Sequence, residues 1–401
     1  MISFEPTEDQ LLIQGTVSDF AKSTLAPRAR ELEKARAVPE DLRRAVQEMG
    51  LSMASVPEEL GGQGLGLLTA VLINEELARG DAAAPFGLPG FGAYIPAVLE
   101  LGSPTQQKEL LAPFADPSAT DAFGAVAWSE LSPNRERPGF STVAKAAGGA
   151  FELTGKKCFV GNAELARSFV VFAQVDETRG WRGIEAFVVP KAAPGLSVTA
   201  RHQTLGLDCA SFGEVSLEGV KAERLGEGTE VPRAALRFFA KYALVVAARQ
   251  VGLARAAFEI AREYCDIRTA FGKPIGHFQA IAFTLADRHM DAESAAELCR
   301  RAAWMWDSAK DEPSCLLATA HAVSHAHEAA MRAGDDAVQL HGGAGFMRDV
   351  IVEKMMRDAK QMALSGATAE HMDQLAAAVA VGAELDPALV LPTPETQAVF
   401  T

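Results

Sequence analysis

The sequence predicts an α+β protein: a helical N-terminal part, a small β-barrel or sandwich in the middle, and a C-terminal four-helix bundle. Three observations predict it. Up to about residue 118, apolar residues recur at helical spacing. From about Asp121 to Leu225, short β-type runs alternate with turn residues. After Gly226, long Ala- and Leu-rich stripes return with short connections between them, as in a bundle. The expected domains are residues 1–118, 119–225 and 226–382. A Pro-interrupted tail at 383–401 is expected on the surface or in a partner's groove.

In the first part, Thr7 is placed to cap a helix with Gln10 as its box partner. Further helices are expected near Glu40 to Met49, Leu67 to Arg79 and Gln106 to Ala115. The PFGLPGFG run, Pro85 to Gly92, is too rich in Gly and Pro for regular structure. Expected strands are 123–128, 140–147, 151–153, 169–174, 184–189, 196–200 and 212–217, with Gly148, Gly149 and Gly155 at hairpin turns. The bundle helices are expected at 231–268, 278–310, 313–334 and 352–381, the last broken near Gly366.

Composition excludes several function classes. Hydrophobic residues make up 48% and charged residues 22%, an ordinary globular balance, and the net charge is −14. That charge argues against a nucleic-acid or anionic membrane surface. The five cysteines are scattered, and no CxxC pair suggests a metal site or a disulfide framework. Their usage suggests a reducing compartment. The start, MISFEPTEDQ, has no apolar h-region, so no secretion signal is expected. No run reaches membrane-spanning length, and a cytoplasmic location is the expectation.

Two C-terminal stretches carry chemistry. Gln339 to Thr368 opens on Gly342 and Gly343, where a backbone can approach a ligand closely. A helically spaced run follows, punctuated by Glu353, Lys354, Arg357, Asp358 and Lys360, and breaks at Ser365 and Gly366. A Gly-rich turn feeding a helix can hold an anion on free N–H groups; the pattern also suits a tight helix corner. The second stretch groups Arg268, Phe271, Gly272, Lys273, Phe278 and Gln279 after the first bundle helix. Arg suits a phosphate, Phe packs a ring and Gln bonds a ribose or amide edge, although the same residues also make a helix–helix turn.

Taken together, QLHGGAGF, EKMMRDAK and the Arg268–Gln279 group, in this order and spacing, resemble the acyl-CoA dehydrogenase family over nearly the whole chain. The resemblance implies FAD as cofactor and α,β-dehydrogenation of an acyl-CoA or related thioester. In that reaction a carboxylate takes the proton next to the carbonyl, and a hydride passes to the flavin. It implies flavin contacts from Ser129, Phe159, Arg268, Phe271, Phe278, Gln279, Gln339, Gly342, Gly343 and Thr368. An electron-transfer flavoprotein-type acceptor is implied as well.

Several matching positions depart from the family. Ser129 and Glu130 survive, but the family's Gly-Ser-Asp turn is replaced by Asn134, Arg135 and Glu136. Phe159 can still cover an isoalloxazine ring, whereas Gly161 brings no hydroxyl to it. Both positions at which members carry the catalytic Glu are changed, to Gly366 and Tyr242. Two positions that contact CoA have become Ala240 and Ala243. Glu370, a turn past Gly366, is a weak candidate for a displaced base and equally a capping carboxylate. Asp208 stands where the family has Arg, through altered ligand contacts or a solvent-facing exchange. His277 and His341 read as packing residues.

These losses fall on motifs that serve a subunit's own flavin, while those reaching a neighbour's flavin are intact. The expectation is therefore a subunit of a hetero-oligomer that completes the site of a homologous, base-bearing partner. A self-sufficient homotetramer with an atypical base or substrate, and a non-catalytic scaffold, are the alternatives.

Overall fold

A computed structural model describes residues 6–131, 138–199, 201–226, 230–383 and 385. Asn134, Arg135, Glu136 and the tail from residue 386 lie outside the described residues.

The chain begins with α1 (Glu8–Phe20), α2 (Ala29–Ala35), α3 (Glu40–Glu48), α4 (Gly66–Gly80), α5 (Tyr94–Leu101) and α6 (Pro104–Ala115). The α1 capping box is formed as the sequence suggests. Gln10 N–H donates to Thr7 Oγ1 at 3.3 Å, and Thr7 N–H donates to Gln10 Oε1 at 3.0 Å. The helix α5 has no counterpart in the sequence reading. Only eight residues long, with Glu100 its one charged residue, it is too short for a periodic stripe to stand out, although Tyr94, Ile95, Ala97, Val98 and Leu101 are buried on one face. Pro96 sits in its first turn, where a missing N–H breaks no intrahelical bond.

Seven strands follow: β1 (Gly124–Ala127), β2 (Val143–Ala147), β3 (Ala150–Gly161), β4 (Ser168–Gln174), β5 (Ile184–Pro190), β6 (Leu196–Thr199) and β7 (Phe212–Arg224). Pairing runs β4–β2–β3–β7–β5 and returns to β4, which closes a small barrel; β1 lies parallel to β4, and β6 pairs with β7. Gly148 and Gly149, both at positive φ, make the β2–β3 hairpin turn. Gly155 makes no hairpin turn. It sits inside β3 at a register shift, where a side chain would strike Thr142, so a close approach is what requires glycine here. Both β3 and β7 are therefore much longer than expected.

The remaining helices are α7 (Val231–Ile267), α8 (Gln279–Asp307), α9 (Glu312–Leu340), α10 (Val352–Met362) and α11 (Ala369–Ala380). Between α7 and α8, a two-residue ladder pairs β8 (Thr269–Ala270) with β9 (Lys273–Pro274). The expected end of α9 at Gly334 is a correction. The helix runs on to Leu340, because Gly334 marks a crossing at which a Cβ would lie 3.0 Å from Met356 Cα of α10. Among the described residues, no helix is long and apolar enough to cross a membrane.

The three parts meet at α10. Lys354 Nζ, buried, donates to Asp81 Oδ1 beyond α4 and to Asp358 Oδ2 one turn on, each at 2.6 Å. Asp358 Oδ1 accepts Leu207 N–H, from the loop between β6 and β7, at 2.7 Å. Burial opposes the Lys354 charge, but Asp358 and Asp81 outweigh it and hold the ammonium well above the ordinary lysine range. Around this centre, Glu353 pairs with Arg30, and Arg357 pairs with Glu33 and with Asp208 at 3.5 Å. Asp208 is thus part of an inter-segment ion-pair group rather than a solvent-facing exchange.

Removing one partner from a buried charge cluster strands the others. Lys354→Ala is expected to lower unfolding stability by about 3–5 kcal/mol, measured as a fall in the urea midpoint. A surface pair such as Arg44–Glu40, at 2.5 Å, is worth at most about 1 kcal/mol and serves as the control.

Candidate functional site

The helix α7 carries two groups of predicted residues at its two ends. The first surrounds residues 239–246. Trp128, at the end of β1, packs edge-on against Phe239 with ring centroids 4.5 Å apart. On the neighbouring face, the turn before α11 brings Gly366 over α7: a Cβ there would lie 3.4 Å from Ala243 Cα and 3.5 Å from Val246 Cγ2. Gly366 has φ +78°, a left-handed conformation that a Glu adopts only under strain of about 1–2 kcal/mol. The turn that the resemblance associates with a base is thus shaped for glycine. His327, buried, is hydrogen-bonded through Nε2 to Ala367 O at 2.7 Å and anchors that turn.

Thr368 caps α11, accepting His371 N–H at 3.4 Å. Glu370 follows in the first turn and is exposed. The backbone N–H at its own position and the Thr368 hydroxyl hold its carboxyl below the ordinary range. This is the environment of a capping carboxylate, not of a base desolvated against a C–H bond.

Ser129 and Phe159 come together on the barrel, where Cys158 N–H donates to Ser129 O at 2.8 Å. Phe159 has φ +51°, at a register shift in β3, and this turns its ring outward to 51% exposure. The ring lies 4.6 Å from His202. Gly161 leaves open space, with Phe212 Cε1 at 3.9 Å from its Cβ position, so no hydroxyl stands there.

Glu130 is a residue whose role the sequence left unstated. It accepts Ser141 N–H at 2.7 Å, Thr142 N–H at 3.0 Å and Lys157 Nζ at 2.8 Å. Lys157, fully buried, also donates to Trp128 O at 2.9 Å and lies 3.5 Å from the centre of the Phe140 ring. Burial opposes the Glu130 charge, but Lys157 and the hydrogen bonds hold its carboxyl below the ordinary range. Burial pushes the Lys157 ammonium down to about 8, with Glu130 resisting. Together they fix the strand end that presents Ser129.

The second group sits at the far end of α7. Arg268, Phe271, Phe278 and Gln279 cluster around the β8–β9 ladder; Phe271 and Phe278 are edge-to-face at 6.2 Å, and Lys273 Nζ lies 4.4 Å over Phe278. Phe271 is 97% exposed at φ +52°. Tyr264 of α7 stacks on His341 at 4.2 Å, which joins this cluster to Gln339, Gly342 and Gly343 at the end of α9. His277 is exposed on the same turn, whereas His341 is buried and packs. The expectation of a Gly-rich turn feeding a helix is corrected: Gly342 and Gly343 terminate α9, and α10 begins only at Val352. Both glycines are exposed, with no atom within 4 Å of a Cβ position. From residue 243 to residue 264, at 1.5 Å rise per residue, the two groups are roughly 30 Å apart.

Exposed aromatic, cation, amide and bare backbone define a class of site suited to a nucleotide-bearing aromatic cofactor. The comparisons give the class a family. Residues 7–117, 125–220 and 226–380 match the acyl-CoA dehydrogenase N-terminal, middle and C-terminal domains. The chain belongs to the acyl-CoA dehydrogenase family, whose members are FAD-binding oxidoreductases acting on CH–CH bonds. It is 33% identical over 376 residues to a probable acyl-CoA dehydrogenase, YngJ, of Bacillus subtilis (strain 168), covering 92% of this chain and 97% of that one. It is 34% identical to a cyclohex-1-ene-1-carbonyl-CoA dehydrogenase of Geobacter metallireducens (strain ATCC 53774 / DSM 7210 / GS-15), over 88% of this chain and 93% of the relative. Among solved structures, butyryl-CoA dehydrogenase from Megasphaera elsdenii superposes with TM-score 0.87 at 29% identity, covering 95% of this chain and all of that one.

The residues present fit FAD in two separate places. The bare ledge of Gly342 and Gly343, with Gln339, Arg268, Phe271 and Gln279, offers contacts for a nucleotide end. Phe159, with Ser129 beside it, offers an apolar face for a ring.

The Glu130–Lys157 pair gives a pH signature. Lys157 binds its proton less tightly folded than unfolded, so stability rises with pH between about 8 and the ordinary lysine value of 10.5. Glu130 acts in the same direction at acid pH: its contribution is complete above the ordinary carboxylate range and is lost as acid protonates it. Buried cysteines whose thiols burial pushes up oppose this trend, so the Lys157 contribution is read as a difference: from pH 8 to 10.5 the urea midpoint of the natural protein should gain on that of Lys157→Met.

Proposed function

We propose that this chain is one subunit of a hetero-oligomeric, FAD-dependent acyl-CoA dehydrogenase, and that it completes a flavin site whose base belongs to a homologous partner. The observation that carries the reading is the pairing of an intact nucleotide wall with a base position built for glycine. The wall lies roughly 30 Å along α7 from the Gly366 turn, which supports its serving a neighbour's flavin rather than this chain's own. At the Gly366 turn, neither Gly366 nor Tyr242 is a carboxylate, and Glu370 is an exposed capping residue.

When bound, FAD accepts the hydride removed from the acyl chain. In this reading, Arg268 holds the pyrophosphate as a fixed cation, and Gln279 and Gln339 bond polar edges of the nucleotide. Phe271 and Phe278 pack its flat faces, and the bare backbone of Gly342 and Gly343 admits it closely. Ser129 and Phe159 are what remains of a ring-facing surface that a subunit's own flavin would use, and the Thr368 hydroxyl caps α11 beside it. Proton removal from the thioester then falls to a carboxylate of the partner. We take residues 1–118, 119–225 and 226–382 as the working domains, the cytoplasm as the working location, and an electron-transfer flavoprotein-type acceptor as the electron sink.

The test is flavin stoichiometry. Purified alone, the protein is expected to carry far less than one FAD per chain and to show no bleaching with acyl-CoA; co-expression with a homologous chain is expected to restore the flavin spectrum. One FAD per chain with acyl-CoA bleaching in the lone protein contradicts the reading in favour of a homotetramer. In that event, Glu370→Gln is decisive for the displaced base, and unchanged turnover removes Glu370.

A further inference from the structure

A cleft of about 210 Å³ opens between α4, α5 and α7, with apolar walls from Leu51, Leu67, Phe91, Ile95, Leu99 and Val245. The charged residues in its wall, Glu100, Lys241 and Asp307, are each engaged. Glu100 accepts Arg237 Nε at 3.1 Å and pairs with Lys241. Asp307 accepts the Leu67 and Leu68 N–H groups at 2.7 and 2.8 Å, capping α4.

The other polar groups of α4 and α7 that face the cleft are spent as well. Asn74 donates through Nδ2 to Ala70 O at 2.8 Å, and its Oδ1 accepts Arg249 Nε at 2.8 Å. Arg249 is fully buried and does not itself line the cleft. It also donates to Phe91 O at 2.6 Å and is hydrogen-bonded to the Tyr242 hydroxyl. Burial pushes the Tyr242 phenol up, with Arg249 resisting, so the phenol stays neutral. The Gly366 turn lies over Ala243 and Val246, on an adjoining face of α7 from Tyr242 and Val245, and brings no carboxylate. Such a cleft gains affinity from apolar burial. A charge entering it loses water without gaining a partner, and neither carboxylate is free to take a proton from a bound chain.

We propose that this cleft is a silent binding site: it takes an uncharged aliphatic chain, the tail of an acyl thioester or a free lipid alcohol, and does not oxidise it. This rests on the reading above, in which the base and the flavin ring it faces belong to the partner, and it adds a second, non-reacting site in this chain. The same walls make the site receptive and inert: they supply apolar surface and withhold every group that chemistry needs. The nucleotide wall stands at the other end of α7, so a chain held here does not meet it. An assembly of the two subunits then binds more aliphatic ligand than it has flavins.

Calorimetric titration of the lone full-length chain with butanol, hexanol and octanol should show affinity rising about fourfold per added methylene until the cleft is full. Octanedioate, which has to bury a charge at one end, should not bind. Ala70→Phe, which fills the cleft from α4, should abolish octanol binding; if that variant does not fold, Val245→Phe fills the cleft from α7. In the assembled, FAD-loaded complex, the octanoyl-CoA bound should exceed the flavin bleached, and the same substitution should remove the excess. Octanol binding with no such excess identifies the free lipid alcohol as the occupant. No octanol binding, equal binding of octanedioate, or octanol binding that survives both substitutions overturns the proposal and leaves the heteromer reading intact. Loss of bleaching in Ala70→Phe with FAD still bound makes this cleft the reacting one, and overturns the heteromer reading and this proposal together.

Discussion

One buried ammonium holds the molecule's parts in register. Lys354, between Asp81 and Asp358, ties α10 to the N-terminal helices, and Asp358 carries the tie on to the barrel through Leu207 N–H. Such a centre is not obviously stabilising in net terms, since desolvation of three charges offsets much of their attraction. What it supplies is geometry. Only one arrangement of the three segments satisfies all its donors and acceptors, and the Arg30, Glu33, Glu353 and Arg357 pairs at its rim reinforce that arrangement. The EKMMRDAK motif is thus an assembly clamp. The turn at Gly366 directly follows α10, so its position against α7 depends on this clamp.

The second constraint is the length of α7. Its 37 residues form one uninterrupted helix. Whatever is presented near Phe239 to Val246 cannot also be presented near Tyr264 to Arg268. The chain therefore offers two half-sites at a fixed separation, one with an exposed bare-backbone ledge and one with a glycine turn and a buried arginine. A protein with both halves intact could serve itself in a symmetric assembly. In the proposed reading the two halves differ in completeness, and the difference follows the helix.

Much of this was legible in the sequence, because it depends on local chemistry. The Thr7 box, the β2–β3 hairpin at Gly148 and Gly149, the long bundle helices and the break at Gly366 all follow from spacing and turn residues. The Arg268–Gln279 and Gln339–Gly343 groups were legible as a set, and the stacking of Tyr264 on His341 shows how the fold joins them. Features set by long-range packing were not legible. Gly334 and Gly155 looked like ends and turned out to be close contacts. The helix α5 is only eight residues long, too short for its buried face to stand out as a period. The roles of Glu130 and Lys157, 27 residues apart, depend on barrel closure. Arg249 looked like one more residue of an Ala-rich helix; its charge in an otherwise apolar stripe was the available signal.

The central claim is that this chain contributes the nucleotide wall to a neighbour's flavin and not a complete site of its own. The most direct measurement is FAD retention by the assembled complex, after gel filtration, for Arg268→Ala and Phe159→Ala made in this chain alone. The account predicts that Arg268→Ala strips the flavin and Phe159→Ala leaves it bound. Equal loss from both, or loss from Phe159→Ala only, would contradict it.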